Sequence, residues 1–129
     1  MTPIPTSQGL LICERVIVEE GTGMPSCVGI FTVLDCDEFP VAAPPFYVFS
    51  PLTNSVGRCT IKITVTELED MNVIVEHQSP FQLYDRLQIA FFHLRLTDVE
   101  YTAAGRYEYS LYVDADLIAQ TTLLIQERF

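Results

Sequence analysis

The clearest pattern in the chain is an alternation of apolar and polar residues near its C-terminal end. In residues 106–114, one set of alternate positions is apolar and begins with Tyr107, whereas the other set is mainly polar. Because successive side chains of a strand point to opposite faces, this period is typical of a strand half buried against a core. A second apolar run, residues 117–125, follows a short acidic turn, so the sequence predicts a β-hairpin here.

The start of this hairpin carries a second signal. Gly105 and Tyr107 stand in a Gly-x-Tyr order at the beginning of the strand. This order is similar to the tyrosine corner of immunoglobulin-like sandwiches, in which a tyrosine hydroxyl ties a loop to the sheet. The simpler interpretation is a pair of core tyrosines, Tyr107 and Tyr109, on an ordinary strand. The alternation predicts that Tyr107 is buried.

The same reasoning predicts strands along the rest of the chain. Residues 58–68 alternate most clearly after the hairpin, with Ile63 on the inward side. Three prolines in residues 37–45 exclude a helix and a central strand, so this segment is predicted to cross between two sheets. Residues 78–86 fit either a loop or one short helical turn. The predicted strands are residues 10–20, 26–35, 46–52, 58–68, 71–77, 87–96, 106–114 and 117–125.

This succession of strands, with turn signals between them and no long helix, predicts an all-β fold. We expect an immunoglobulin-like antiparallel β-sandwich of seven or eight strands. A length of 129 residues predicts a single β-sandwich domain, residues 1–129, in which residues 1–9 form an irregular N-terminal arm or lead-in strand. Hydrophobic residues make up 49% of the chain, which excludes a disordered polypeptide.

The charge balance narrows the classes of partner. Seven Lys and Arg residues against 17 Asp and Glu give a net charge of −10. Phosphate neutralisation needs clustered cations, so the sequence predicts no nucleic-acid partner and no anionic membrane surface as a partner. No apolar run reaches the roughly 18 residues that span a bilayer, and the first residues do not resemble a secretory signal. We therefore expect a cytoplasmic protein.

The cysteines do not indicate a metal site. Their spacing matches no zinc pattern, and no C-x-x-C occurs. In a protein that is not exported, we expect four reduced thiols packed as small hydrophobes, with disulfides as the alternative. The four cysteines are Cys13, Cys27, Cys36 and Cys59.

Several short motifs, taken in order, point to a known kind of protein. They are LLICERVIVEE at residues 10–20, VGIF at 28–31, FP at 39–40, PPFYVF at 44–49 and GRYEYSLYVD at 105–114. In this order the chain resembles a family of uncharacterised bacterial proteins of about 130 residues that form a domain of unknown function. The resemblance implies an immunoglobulin-like sandwich and no known activity. It carries over no catalytic residue.

The residues that could carry out catalysis form no recognisable set. His77 and His93 both lie in predicted strands beside apolar neighbours, and Ser110 with His93 would lack a nucleophile elbow. Acidic residues at 35, 37, 38, 114 and 116 could attract calcium, but turn and solvating roles explain them, and no EF-hand pattern occurs. The sequence therefore predicts a protein that is not an enzyme, with no metal site and no cofactor.

The aromatic residues offer the best candidate surface. Phe46 and Tyr47 are neighbours on one predicted strand, and Phe91 and Phe92 on another. Adjacent residues of a strand point to opposite faces, so at least one ring of each pair is expected to lie outside the core. Tyr112 falls on the polar side of its own strand. These five aromatic residues form the predicted interaction surface, unless loops of the chain cover them.

Three functions follow from these observations. The first is a non-enzymatic protein-interaction or assembly domain that binds a protein partner or forms a dimer through a sheet face or an edge strand. The alternative is a carbohydrate-binding or small-ligand-binding module, which the absence of tryptophan weakens. The third is an enzyme with an unrecognised site. A flat apolar patch favours the first function, an aromatic groove the second, and a buried polar cluster around a histidine the third.

Overall fold

The computed structural model describes residues 4–128, and this part of the chain contains twelve strands and no helix. Most of the chain is therefore extended, as its β-branched and aromatic content favours. The strands are β1 (Thr6–Ser7), β2 (Leu11–Val18), β3 (Pro25–Ile30), β4 (Val33–Cys36), β5 (Val41–Ala42), β6 (Phe46–Thr53), β7 (Gly57–Glu67), β8 (Asn72–Leu83), β9 (Ala90–Leu96), β10 (Glu100–Tyr101), β11 (Gly105–Val113) and β12 (Asp116–Glu127).

Two five-stranded sheets form the layers of the molecule. In the first sheet, β1 and β2 both pair with β6, β3 pairs with β2, and β9 pairs with the other side of β6. In the second sheet the order is β4-β12-β11-β7-β8. The pairings are antiparallel except that β4 runs parallel to β12. The short strands β5 and β10 pair with each other in a separate two-stranded sheet.

The core lies between the two large sheets. Inward side chains of β6 and β9, such as Val48 and Phe92, pack with inward side chains of β7 and β11, such as Ile63 and Tyr107. A ring contact crosses the layers, since Phe46 meets Tyr109 edge-on at 6.1 Å between centroids. Burial of one face per sheet is the usual reason that antiparallel strands alternate apolar and polar residues. The predicted burial of Tyr107 and Ile63 is confirmed, as both are 0% exposed.

The prediction of an all-β sandwich is confirmed, and the differences are local. The predicted strand at residues 26–35 divides into β3 and β4, which lie in different sheets because the chain crosses over at Phe31 and Thr32. This break and the three two-residue strands β1, β5 and β10 raise the count above seven or eight. The segment 78–86, predicted as loop or helical turn, continues β8 as far as Leu83.

Two further predictions concern the N-terminal arm and the proline-rich segment. Part of the N-terminal arm, Thr6–Ser7, pairs with β6 as a lead-in strand, and residues 1–3 lie outside the described residues. The proline-rich segment 37–45 does cross between sheets, from β4 in the second sheet to β6 in the first. Within residues 4–128, no helix is long and apolar enough to cross a membrane.

Candidate interaction surface

The outer side of the first sheet carries a patch of aromatic and aliphatic side chains. Register places them together: Leu11 of β2 lies opposite Phe49 of β6, and Phe49 lies opposite His93 of β9. Alternation along β6 and β9 adds Tyr47 and Phe91 to the same side. We call these five residues the aromatic face.

The rings of the aromatic face pack on each other rather than into the core. Phe49 and Phe91 stack with centroids 6.0 Å apart and planes 17° apart. Tyr47 and His93 form a tilted pair at 6.4 Å. Phe49 is only 7% exposed although it is not a member of the core cluster. Its low exposure comes from Phe91, whose ring lies over it on the outer side of the sheet. Phe91 is itself 42% exposed and is the most solvent-accessible ring of the face apart from the histidine.

Charge is distributed unevenly between the outer sides of the two sheets. Along β6 and β9, the outward positions hold no Asp or Glu, and their charged residue is Arg95. The outer side of the second sheet is instead polar, with threonines along β7, with Lys62, and with Glu108 accepting a hydrogen bond from Gln120 at 2.9 Å. The chain has a net charge of −10, but the aromatic face is an apolar region whose β6 and β9 positions carry no carboxylate.

Strand β9, which contributes Phe91 and His93 to the aromatic face, forms an open edge of the first sheet. It pairs with β6 and with no other strand of the described residues. Natural proteins protect such edges with proline, lysine, bulges or short strands. Over its seven residues strand β9 has no proline, no lysine and no carboxylate, its charged residue is Arg95, and its register with β6 is unbroken.

The other edges of the large sheets are protected. Strand β8 carries Pro80 and Glu76, and its register with β7 shifts between Val65 and Thr66. Strand β4 is only four residues long. Strand β3 begins at a proline and contains Gly29 with a left-handed φ of 70°, which bends an edge away from regular pairing. Strand β9 is thus the long edge best suited to accept another strand.

The structure divides the aromatic residues that the sequence singled out. Phe46 and Phe92 point inward and are buried, at 3% and 4% exposure, which removes them from the predicted surface. Tyr47 and Phe91 point outward, as the alternation argument requires of one member of each pair. Tyr112 also points outward but from the second sheet, where the Lys62 ammonium lies 4.7 Å from its ring centroid. It therefore belongs to a different surface.

The sequence analysis missed Phe49 as a surface residue. It stands two positions after Tyr47, so the same alternation that separates Phe46 from Tyr47 places Phe49 with Tyr47. Its near-complete burial comes from its stack with Phe91, a residue more than forty positions away in the sequence. Only the pairing of β6 with β9 brings these two rings together.

The groups considered for catalysis do not come together. His93 lies on the outer side of the first sheet, whereas Ser110 lies in the second and accepts a hydrogen bond from Gln120 at 3.2 Å. His77 is exposed on β8. Asp114 accepts a hydrogen bond from the Thr60 amide at 2.9 Å, which is a structural role. Residues 4–128 contain no group of three or more His, Cys, Asp or Glu placed to hold a metal ion.

The four cysteines are free thiols, and three of them are poor nucleophiles at neutral pH. Burial, with the neighbouring Cys27 thiol as a second cause, raises the pKa of Cys13 to about 11. Burial also raises the pKa of Cys36 and of Cys59, and the nearby carboxylates of Asp35 and Asp114 respectively act in the same direction. Since the thiolate is the reactive form, these side chains behave as small apolar residues.

The fold and the surface together define an all-β sandwich domain with one apolar outer face and one open edge. Residues 8–126 match the model of a family of unknown function, DUF6941. The chain belongs to this family. No curated protein matches it.

Among solved structures, the chain is similar to part of a β-glucosidase from Kluyveromyces marxianus. The two are 10% identical, with a TM-score of 0.46. The matched region covers 71% of this chain but only 14% of the enzyme. A likeness of this size says nothing about the activity of the smaller chain.

Proposed function

We propose that the protein is a non-enzymatic assembly domain that forms a two-fold dimer through strand β9. The observation that carries this proposal is the coincidence of two features at one place. Strand β9 is a seven-residue sheet edge without proline, lysine or bulge, and it carries the exposed ring of Phe91. Edge strands present unpaired N–H and C=O groups, which a second strand can satisfy.

The sequence of β9 is complementary to itself. Strand β9 runs from Ala90 to Leu96, so its centre is His93. In an antiparallel pair of two copies centred there, Phe91 of each copy faces Arg95 of the other on the outer side. On the inner side, Phe92 of each copy faces Leu94 of the other. A symmetric dimer of this kind uses the same patch on both copies and closes without further growth.

These cross-strand pairs are chemically favourable. A guanidinium over an aromatic ring contributes on the order of 0.5–1 kcal/mol at an exposed site, and the symmetric pairing contains two Phe91–Arg95 contacts. The pairing also covers Leu94, which is half-buried at the margin of the core. Apolar cross-strand pairs contribute roughly 0.2–1 kcal/mol each. The paired edges would join the two first sheets into one continuous sheet.

Charge opposes the dimer at long range and sets its salt dependence. Each copy carries −10, so two copies repel each other. Salt screens this repulsion beyond about 8 Å at physiological ionic strength, whereas apolar contacts are less affected. Association should therefore strengthen as salt is added, which is the opposite of what a dimer held by ion pairs would do.

We expect the wild-type chain to elute as a dimer at high micromolar concentration in size-exclusion chromatography with light scattering, and its monomer fraction to fall as salt rises. Phe91→Lys should give a monomer, because it places a lysine opposite Arg95 of the second copy and protects the edge. The matched control is Val73→Lys, which makes the same charge change at a residue 58% exposed on β8.

The control variant should remain a dimer. A wild-type chain that stays monomeric at every salt concentration would contradict the proposal. So would a Phe91→Lys variant that still dimerises, or a Val73→Lys variant that loses the dimer as readily. Dissociation by salt would contradict it too, because it would indicate ion pairing through another surface.

We further infer that the sandwich is of the immunoglobulin-like type. The hydroxyl of Tyr107 donates a hydrogen bond to the carbonyl oxygen of Ala103 at 2.7 Å, four residues upstream. A tyrosine near the start of the penultimate strand, bonded back to the preceding loop, is the tyrosine corner of that class. This bond supports the interpretation based on the Gly105-x-Tyr107 order over that of two ordinary core tyrosines.

A further inference from the structure

A second feature of the molecule lies away from β9. A cavity of about 360 Å³ opens where β2, β4 and the segment before β6 meet. This volume lies in the range of pockets that hold small molecules. The side chains that line the cavity are aliphatic or aromatic, except for the carboxylate of Glu14. The lining residues include Glu14, Phe31, Leu34, Ala43, Pro44, Pro45 and Phe46.

The apolar walls are fixed by the fold. Phe31 and Phe46 pack edge-on with centroids 6.0 Å apart, and Phe46 is anchored in the core. Pro44 and Pro45 have restricted backbone angles, which limits the motion of the wall they form. The Ala43 amide donates a hydrogen bond to the Val99 carbonyl at 2.9 Å. A site that is formed before the ligand arrives loses less entropy on binding.

The carboxylate of Glu14 has a defined position at this cavity. Its side chain lies across Gly29 of the neighbouring strand, where a β-carbon in place of the glycine hydrogen would be only 2.8 Å from the Glu14 Cδ atom. The left-handed φ of 70° at Gly29 is one that glycine adopts readily. Glycine thus leaves the space that the Glu14 side chain occupies.

Glu14 has no cationic partner within residues 4–128. The ion pair in this part of the chain joins Arg128 to Asp37, and no Lys, Arg or His of the described residues lines the cavity. Glu14 is an exposed residue, so a ligand that enters the cavity can reach its carboxylate. An unpaired negative charge beside aromatic rings favours a cation in two ways, through the carboxylate and through the ring faces.

We propose that this cavity binds a small organic cation with an aromatic or aliphatic body, of the arylalkylammonium class. The apolar body would contact Phe31, Phe46 and the proline wall, and the ammonium group would lie near the Glu14 carboxylate. A neutral analogue would retain the apolar contacts and lose the charge contact. A carboxylate analogue would be repelled by Glu14.

This site is independent of the proposed dimer. None of the residues that line the cavity belongs to β9, and the dimer variant Phe91→Lys alters none of them. The cavity can therefore bind its ligand in a monomer, and the dimer can form whether or not the ligand is bound. The two proposals fail or succeed separately.

The test compares three probes of similar shape: phenethylamine, 2-phenylethanol and 3-phenylpropionate. Each is titrated into the ¹⁵N-labelled full chain while amide shifts are followed by NMR. We expect saturable shifts at Phe31, Leu34 and Ala43, with the amine binding roughly two- to fivefold more tightly than the alcohol, as an exposed ion pair allows. The carboxylate should bind most weakly.

Two variants separate the Glu14 contact from overall charge. Glu14→Gln should remove the preference for the amine while leaving alcohol binding unchanged. Glu76→Gln makes the same charge change on β8, at the opposite edge of the second sheet from β4, and should leave the preference intact. Equal binding of the three probes, shifts centred elsewhere, no saturable shift at millimolar probe, or an unaltered preference in Glu14→Gln would each overturn the proposal.

Discussion

Ile63→Ala is expected to destabilise the protein by about 2–5 kcal/mol, the usual range for truncating a buried aliphatic side chain. Ile63 is 0% exposed in the middle of β7, opposite Leu111 of β11. Removing three carbon atoms there leaves a cavity between two sheets, which the surrounding strands cannot close without breaking their register. Urea unfolding followed by circular dichroism measures the change in the free energy of unfolding.

The matched control is Val73→Ala, which truncates a β-branched residue that is 58% exposed on β8. It should change the free energy of unfolding by less than about 1 kcal/mol, the range of strand propensities. A loss below about 0.5 kcal/mol for Ile63→Ala would contradict the position of that residue in the core, since core truncations cost more than this. Equal losses for the two variants would do so as well.

The second large effect is expected at a buried pair of tyrosines. The hydroxyls of Tyr101 and Tyr109 are hydrogen-bonded to each other, and both side chains are 0% exposed. Tyr109→Phe leaves the Tyr101 hydroxyl buried without its partner, and Tyr101→Phe does the same to Tyr109. Each single change should lower the free energy of unfolding by about 1–3 kcal/mol, the usual penalty for an unsatisfied buried group.

The double variant, Tyr101→Phe with Tyr109→Phe, is the informative control. Replacing both partners leaves no unsatisfied hydroxyl, so its loss should be smaller than the sum of the two single losses. Unfolding of the four proteins in urea gives the coupling energy directly. Additive losses would mean that the two hydroxyls do not depend on each other in the folded state.

The same pair makes stability depend on pH in the alkaline range. Burial raises the pKa of Tyr101 to about 12 and raises the pKa of Tyr109 further. Tyrosines of the unfolded chain have pKa values of about 10. Above that pH, the folded state therefore keeps these two protons while the unfolded chain has released them. Stability is fully present below about pH 10 and falls as pH rises towards about 12 and beyond. The double phenylalanine variant should lose stability less steeply over this range.

Much of the secondary structure follows from the sequence because its signals are local. The alternation in residues 58–68 and 106–114 depends on neighbours two positions apart, and both segments form strands with Ile63 and Tyr107 inside. The same rule correctly requires one ring of each adjacent aromatic pair to lie outside. It does not say which ring, because a shift of one residue in register exchanges the two faces of a strand.

The division of residues 26–35 into β3 and β4 could not be predicted from local sequence signals. Residues 26–35 are mainly apolar and β-branched and contain no proline or turn pair, so the local signals predict one strand. The division arises because β3 completes a hairpin with β2, while β4 pairs with β12 from the other end of the chain. A parallel pairing between such distant segments leaves no short-range mark. The extension of β8 to Leu83 has a similar origin in its long pairing with β7.

By itself, the sequence determined that this protein is an all-β sandwich, that its core contains Ile63 and Tyr107, and that aromatic rings must lie outside that core. Tertiary structure decided where those rings are and what surrounds them. The stack of Phe49 on Phe91, the open edge of β9 and the cavity beside Glu14 each join segments far apart in the chain. Side-chain alternation is fixed by the geometry of each strand, whereas the order of strands in a sheet is fixed by the packing of the whole chain.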